Sequence, residues 1–317
     1  MKFKLLTVIL LPFVLVAVFI FYFRGLLLPV SDNSGEVDFL INKGSSVAQI
    51  GNNLESAKLI RSGIAFKFYV QLTNNTNKIQ AGEFQLTQNL SLVEMVDRLK
   101  KGPTEFWVTI PEGLRREEIA IRFAIVLNKE TDFIDEFLRL TVGKEGYLYP
   151  DTYLFPKSAS ATQVVNRLTT TFDQKVKNAT KEQVIMASLL ERETFTNEEK
   201  PVVAGVLYKR LENGWPLQID ATLQYAKDNI KYKNVSLTNK YWDPAYAQDK
   251  GIESPFNTYK NLGLPPAPIA NPGASTINAV INSVESEYWY YIHDNSGKIH
   301  YARTLDEHNQ NINRYLR

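Results

Sequence analysis

The sequence predicts an α+β protein, with two folded units following one apolar segment. Three observations carry this expectation. Residues 5–23 hold no charge, strand-like and helix-like runs alternate through the remainder, and the pattern restarts on a larger scale after residues 101–103. With 317 residues, 44% of them hydrophobic and 22% charged, there is apolar mass for a substantial core.

The apolar segment reads LLTVILLPFVLVAVFIFYF. As a helix rising ~1.5 Å per residue it is roughly 28 Å long, close to the hydrocarbon thickness of a bilayer. Lys2 and Lys4 precede it and Arg24 follows. A cleavable signal has a shorter apolar core, and no small-x-small site follows in RGLLLPVSD. An uncleaved single-pass transmembrane helix over 5–23 is therefore expected. The positive-inside rule puts residues 1–4 in the cytoplasm and the rest of the chain on the outer face of the membrane. Pro12 is tolerable within such a helix. Residues 24–36, ending in the polar run SDNSGE, are expected to be a linker.

The first unit is expected over 37–103. VDFLINKG reads as a strand, and Ser45 or Ser46 caps a helix with Val47, Ile50 and Leu54 on one face. GIAFKFYVQL gives a second helix, and AGEFQL returns as a strand after the polar TNNTNK. In SLVEMVDRLKKG, Ser91 and Glu94 fit a capping box. There Leu92, Met95, Val96 and Leu99 form one stripe and Gly102 can stop the helix.

The second unit is expected over 104–317. TEFWVTI is a strand, and PEGLRREEIAIRFAIVL and DFIDEFLRL supply helices. A compact aromatic block, EGYLYPDTYLFP, follows at 145–156. Helices are expected over 163–177, 181–194 and through PVVAGVLYKRLENG, which Gly214 ends. Pro255, Pro265, Pro266, Pro268 and Pro272 fall within 20 residues, so 254–273 is expected to be a stiff, shaped loop. Ser275 then caps a helix, and EYWYYIHDNSGKIHYA forms a hairpin turning at 295–297.

Much chemistry lacks its signature. Without cysteine there are no disulfides, thiolate metal sites, cysteine nucleophile or lipoprotein-type anchor. The net charge of +2 gives no electrostatic case for nucleic acid. All three histidines lie in the last 25 residues and there is no HExxH pair, so no metal site is expected. GxSxG, SxxK, Walker A and GxGxxG patterns are missing too, and no cofactor is expected. Carboxylates set among aromatics, prolines and amides remain, an inventory suited to carbohydrate chemistry.

Within it, VIMASLLERETF at 184–195 runs apolar residues straight into Glu191, Arg192 and Glu193. On a helix Glu191 shares a face with Val184, Ala187 and Ser188, whose small side chains leave room for a substrate. A carboxyl partly buried in such a place keeps its proton near neutrality, as a general acid must. Helices also end in solvated charges, and spacing alone does not rank Glu191 above Glu193.

Taken in order, EGYLYPDTY, MASLLERET, VVAGVLYKRL, LQIDATLQYA, SPFNTYKNLGLPPAPIANPG and HNQNINRY resemble the endolytic murein transglycosylase, or YceG-like, family. The likeness runs from about Val37 to the C-terminus. It implies that the first unit is LysM-like, that the second is the catalytic domain, and that Glu191 is the catalytic acid. It also implies cleavage of peptidoglycan glycan strands between N-acetylmuramic acid and N-acetylglucosamine, leaving 1,6-anhydro ends, in the company of cell-wall synthases. The substrate groove is expected to draw on Gln218, Asp220, Thr222, Asn257, Thr258, Tyr259, Glu145 and Tyr149, though a turn or packing role competes for Asp220, Glu145 and Tyr149. Two alternatives stay open: a hydrolytic muramidase with Asp220 guiding water, and a non-catalytic peptidoglycan-binding scaffold.

Overall fold

The computed structural model describes Val18 and residues 21–316. Most of the expected transmembrane helix therefore lies outside the described residues. Among the described residues no helix is long and apolar enough to cross a membrane.

The chain forms two compact units. One holds the residues up to Trp107 together with Leu154–Lys157, and the other holds Val108–Tyr153 and everything from Ser158 onward. In the first, β1 (Glu36–Ile41), α1 (Val47–Ser56), α2 (Gly63–Leu72), β2 (Gly82–Thr87) and α3 (Leu92–Lys100) follow in order. β1 and β2 pair antiparallel, from Glu36 opposite Thr87 to Ile41 opposite Gly82. The period-two alternation sends Phe39, Ile41, Phe84 and Leu86 inward against Leu54, Phe66, Val70, Met95 and Leu99. β3 (Glu105–Thr109) and β4 (Thr152–Pro156) complete a sheet of order β1-β2-β3-β4. β4 falls in the aromatic block, where no strand was expected.

Local chemistry explains the helix boundaries. Ser46 with Gln49 and Ser91 with Glu94 form complete capping boxes. α1 and α2 meet glycine on glycine: a Cβ on Gly51 would lie 2.7 Å from the Gly63 carbonyl oxygen. Only residues without a side chain permit that approach.

Residues 24–36 do not behave as a free linker. Leu26 and Leu27 pack on the core of the first unit. The Leu27 carbonyl accepts from Leu92 N–H, and Ser31 N–H donates to Gln88. Leu26 and Leu27 are apolar enough to pack on this core although a polar run follows them, while Leu28 stays exposed.

The second unit contains α4 (Arg116–Val126), α5 (Thr131–Leu140), α6 (Ala161–Lys175), α7 (Lys181–Glu193), α8 (Lys200–Glu212), α9 (Asp220–Lys231) and α10 (Ala274–Ile281). The hairpin of β5 (Tyr290–His293) and β6 (Ile299–Ala302) and the final helix α11 (Leu305–Tyr315) complete it. α7 is the central rod, with residues 184–190 all buried and α8, α9 and α10 packed around it. α11 has no buried residue and was not among the expected helices. α10 starts two residues earlier than expected, with Gly273 as its N-cap instead of Ser275.

Replacing Gly51 with alanine tests the helix crossing. A solvated helix gains about 0.5–1 kcal/mol from this change, whereas forcing apart a packed contact costs about 1–3 kcal/mol. The contact term wins, and urea denaturation of Gly51→Ala should show a net loss of stability in the first unit. Unchanged or raised stability would mean that the two helices separate freely.

Candidate active site

The site grows from the end of α7. Thr180 caps the helix at its start, with Gln183 closing the box. Seven buried residues then hold the rod in the core, and Glu191, Arg192 and Glu193 emerge half-buried in its last turn.

Glu191 reaches the N-terminus of α10. Its Oε2 accepts from the Gly273 amide at 2.8 Å and from the Thr276 hydroxyl at 2.6 Å. The first turn of a helix presents unsatisfied N–H groups and a positive dipole end. α10 has no side-chain cap from its own N-cap residue, so Glu191 fills that place from another helix. Oε1 has one longer contact, 3.4 Å from Lys200 Nζ, which also donates to Ser275 Oγ at 3.2 Å. The Glu191 and Lys200 side chains are each 9% exposed.

The walls follow from two backbone exchanges. Gly113 N–H donates to the Asn271 carbonyl and Asn271 N–H to the Leu114 carbonyl, both at 2.9 Å. Gly113, at φ +77°, comes near the Glu191 side chain, and Glu112 lies against Gly273 where a Cβ would sit 2.6 Å from its Cγ. Asn271 is wholly buried with its amide fully used. Its oxygen accepts from Gly146 and Leu148 N–H, and its nitrogen donates to the Leu114 carbonyl and Glu145 Oε1. The small-residue face of α7 is not open space: the Ser188 hydroxyl accepts from Ile269 N–H at 3.1 Å, and Ile269 and Ala270 fill the face.

On the other side of the α7 terminus, Glu193 Oε2 accepts from the Tyr291 hydroxyl at 2.8 Å. Burial pushes the Glu193 carboxyl up to about 7; the Asp220 charge adds to this, while Tyr291, Arg210 and Arg192 oppose it. Tyr259 donates to Asp220 Oδ1 at 2.6 Å. Gln218 and Asp220 are exposed while Leu217 and Ile219 between and before them are buried, so the alternation turns both polar groups outward. Gln218 holds φ +56°, with its N–H on the Thr258 carbonyl. Arg192 is stacked 3.9 Å over the Trp242 ring, whose Nε1 donates to Glu118 at 2.8 Å.

Of the residues expected in a groove, Asp220 and Tyr259 thus lie near Glu193, and Gln218 stands exposed on the stretch beside them. Thr222, Asn257 and Thr258 are interior, at 0–2% exposure. The two threonine hydroxyls share a 2.9 Å hydrogen bond, and the Asn257 amide donates to the Lys250 and Ile252 carbonyls. Their polar groups fix the loop that carries Tyr259. Glu145 is 6% exposed and accepts from Arg116 N–H and Asn271; burial raises its carboxyl well above the usual range. Tyr149 is 8% exposed, and its carbonyl accepts from Tyr153 OH. Glu112, Lys200, Gly273 and Thr276 were missed. Periodicity shows Thr276 only as a buried helix position, and nothing local separates Lys200 from other helix-start lysines. A groove of about 660 Å³ bounded by Gln183, Tyr208, Lys209 and Glu285 includes none of these groups. Among the described residues, no three potential metal ligands converge.

The YceG-like family model matches residues 39–314. The chain belongs to the YceG-like family. Relatives in this family include a protein of Streptococcus pneumoniae named endolytic murein transglycosylase, 30% identical over 342 residues covering 92% of this chain. The chain spans about 60% of that relative's length. A Bacillus subtilis protein of the same name is 30% identical over 337 residues, covering 93% of this chain and 89% of its own. A crystal structure of a yceG-like protein from Listeria monocytogenes superposes with a TM-score of 0.54 at 28% identity, over 87% of this chain and 99% of that one.

Glu193 makes stability pH-dependent in a defined sense. Its folded carboxyl, near 7, keeps a proton that the unfolded one loses near 4.5. Its contribution is therefore fully present below about 4.5 and is lost as pH rises through about 7. Denaturation midpoints of Glu193→Gln should fall less over this window than those of the parent chain. An identical slope would mean that Glu193 does not titrate there.

Proposed function

We propose that this YceG-like chain is an endolytic peptidoglycan lytic transglycosylase, with Glu191 as acid and then base. The placing of Glu191 carries this reading. A carboxyl at the end of a buried helix has one oxygen fixed by two strong donors and the other held only by a long contact from Lys200. The name shared by the relatives from S. pneumoniae and B. subtilis supports it independently.

In the proposed reaction, Glu191 gives its proton to the oxygen joining N-acetylmuramic acid to the next N-acetylglucosamine. That C–O bond breaks, and positive charge develops at C1 of the muramic acid. The C6 hydroxyl of the same sugar then attacks C1 while the Glu191 carboxylate takes the hydroxyl proton. The products are a 1,6-anhydro end and a free 4-hydroxyl, and the glutamic acid is regenerated. One carboxyl serves both proton transfers, whereas most glycosidases employ two. Gly273 N–H and Thr276 keep Oε2 in place, leaving Oε1 as the oxygen that exchanges the proton. Oε2 is an acceptor in both states of the acid, so Gly273 N–H and the Thr276 hydroxyl can donate to it throughout.

Gln218, Asp220 and Tyr259 are proposed to contact the sugar chain. The strand–helix–helix–strand order of the first unit supports a LysM-like glycan-holding role. Residues 5–23 are proposed to anchor the chain in the bacterial cytoplasmic membrane, with both units on the outer face beside newly made glycan and the synthases that make it.

Digestion of purified peptidoglycan by the full chain, followed by mass analysis of the ends, tests the reaction. Anhydro ends are expected from the parent, with Glu191→Gln slowed roughly 10²- to 10⁴-fold, since glutamine keeps the shape but has no proton to give. Reducing muramic ends would instead identify a muramidase, and no cleavage by folded protein a scaffold. Thr276→Val should lower kcat roughly 10- to 100-fold, the worth of one hydrogen bond to a charged group, with KM little changed. Thr276→Ser should restore most of it. A loss of activity in both variants alike would remove the hydroxyl from the mechanism.

A further inference from the structure

The first unit carries an apolar surface that its own fold leaves uncovered. α2 buries Gly63, Ala65, Phe66 and Val70 on one side, yet Ile64, Phe68 and Leu72 recur every fourth residue on the other, at 77%, 62% and 78% exposure. A helix needs only one apolar face to pack on a core, so the second requires another explanation. Phe21 and Tyr22 add rings at 82% and 65% exposure. Tyr22, Phe23, Leu26, Ile64 and Phe68 border a shared apolar groove of about 310 Å³.

The chain leading out of this patch says what covers it. Residues 21–26 are helical, and 21–23 close the apolar run of sequence that begins at residue 5. Phe23, Leu26 and Leu27 are packed on the core, Leu27 accepts from Leu92 N–H, and the Pro29 carbonyl accepts from Arg61 Nε at 2.8 Å. No slack chain separates the apolar segment from the unit, so whatever surrounds that segment meets α2 as well. Exposed basic side chains stand close by in sequence, Arg24, Arg61 and Lys67, while Glu55 is turned onto Gly63 N–H.

We propose that the Ile64–Phe68–Leu72 face of α2, with Phe21 and Tyr22, is seated in the interfacial layer of an anionic lipid bilayer. Aromatic and aliphatic side chains enter the headgroup–acyl boundary, and the basic residues meet lipid phosphates. The unit is then held against the membrane by a second contact besides its anchor, which restricts its height and tilt. This rests on reading residues 5–23 as a membrane anchor.

The chain has no cysteine, so an introduced one is its sole thiol. Full-length Ile64→Cys, Phe68→Cys and, as a control on the exposed face of β2, Gln85→Cys would each carry an environment-sensitive fluorophore. They would be reconstituted in vesicles of phosphatidylglycerol and phosphatidylethanolamine containing a shallow nitroxide lipid. Labels at 64 and 68 should be quenched by the nitroxide several-fold more than the label at 85, and shielded from aqueous iodide. Labels as wet at 64 and 68 as at 85, in protein that floats with the vesicles, would overturn the proposal and leave the anchor standing. Shielding from iodide without nitroxide quenching would assign the face to a protein partner, also against the proposal. Failure to float would remove the anchor and the seat together.

Discussion

The Glu191 carboxylate sits on the first turn of α10, and the second unit is organised around that contact. It joins the end of the most buried helix to the start of another that follows the proline-rich loop. Each solves a problem for the other. The amide of Gly273 and the hydroxyl of Thr276 need an acceptor, and a carboxylate at the end of an apolar rod needs donors. Lys200, itself 7% exposed, supplies the neighbouring positive charge. A largely buried carboxyl is thereby fixed without being sealed away.

Behind this contact stands Asn271, whose four side-chain hydrogen bonds tie two separated stretches to the loop. Glu145, Gly146 and Leu148 lie at the start of the aromatic block, and Leu114 in the turn before α4. All these groups are buried or nearly so, where an unpaired amide is costly, and every polar atom of the Asn271 amide has a partner. The rigidity of the loop therefore comes from hydrogen bonding as much as from proline. Glu145 belongs to this frame, which explains a buried acid in a motif whose spacing suggests a sugar-facing one.

Two carboxyls two residues apart thus receive different surroundings. Glu191 meets a helix terminus and a lysine; Glu193, about 200° round the helix, meets Tyr291 and the neighbourhood of Asp220. The second lies near Asp220 and Tyr259, with Gln218 on the stretch beside them, held outward by the buried Thr222–Thr258 pair and by Asn257 beneath them. The polar residues of SPFNTY divide by depth: some build the loop, and one reaches out from it.

Much of this architecture is local and so was legible in the sequence. Serine and threonine caps with glutamine or glutamate three residues on, period-two strands and helical stripes depend on neighbours a few residues away. They predict α1, α2, α3, α7 and the β5–β6 hairpin closely. The preference for Glu191 over Glu193 comes from the family resemblance of the ordered motifs and not from local spacing. A strand hidden in an aromatic run, such as β4, leaves no comparable trace. The tertiary structure alone decided what each carboxyl and amide touches. Gly273 lies 82 residues from Glu191, and Asn271 lies 126 from Glu145. No periodicity encodes a contact over such a separation; it exists only once burial has brought the helices together and left each polar atom to find its partner.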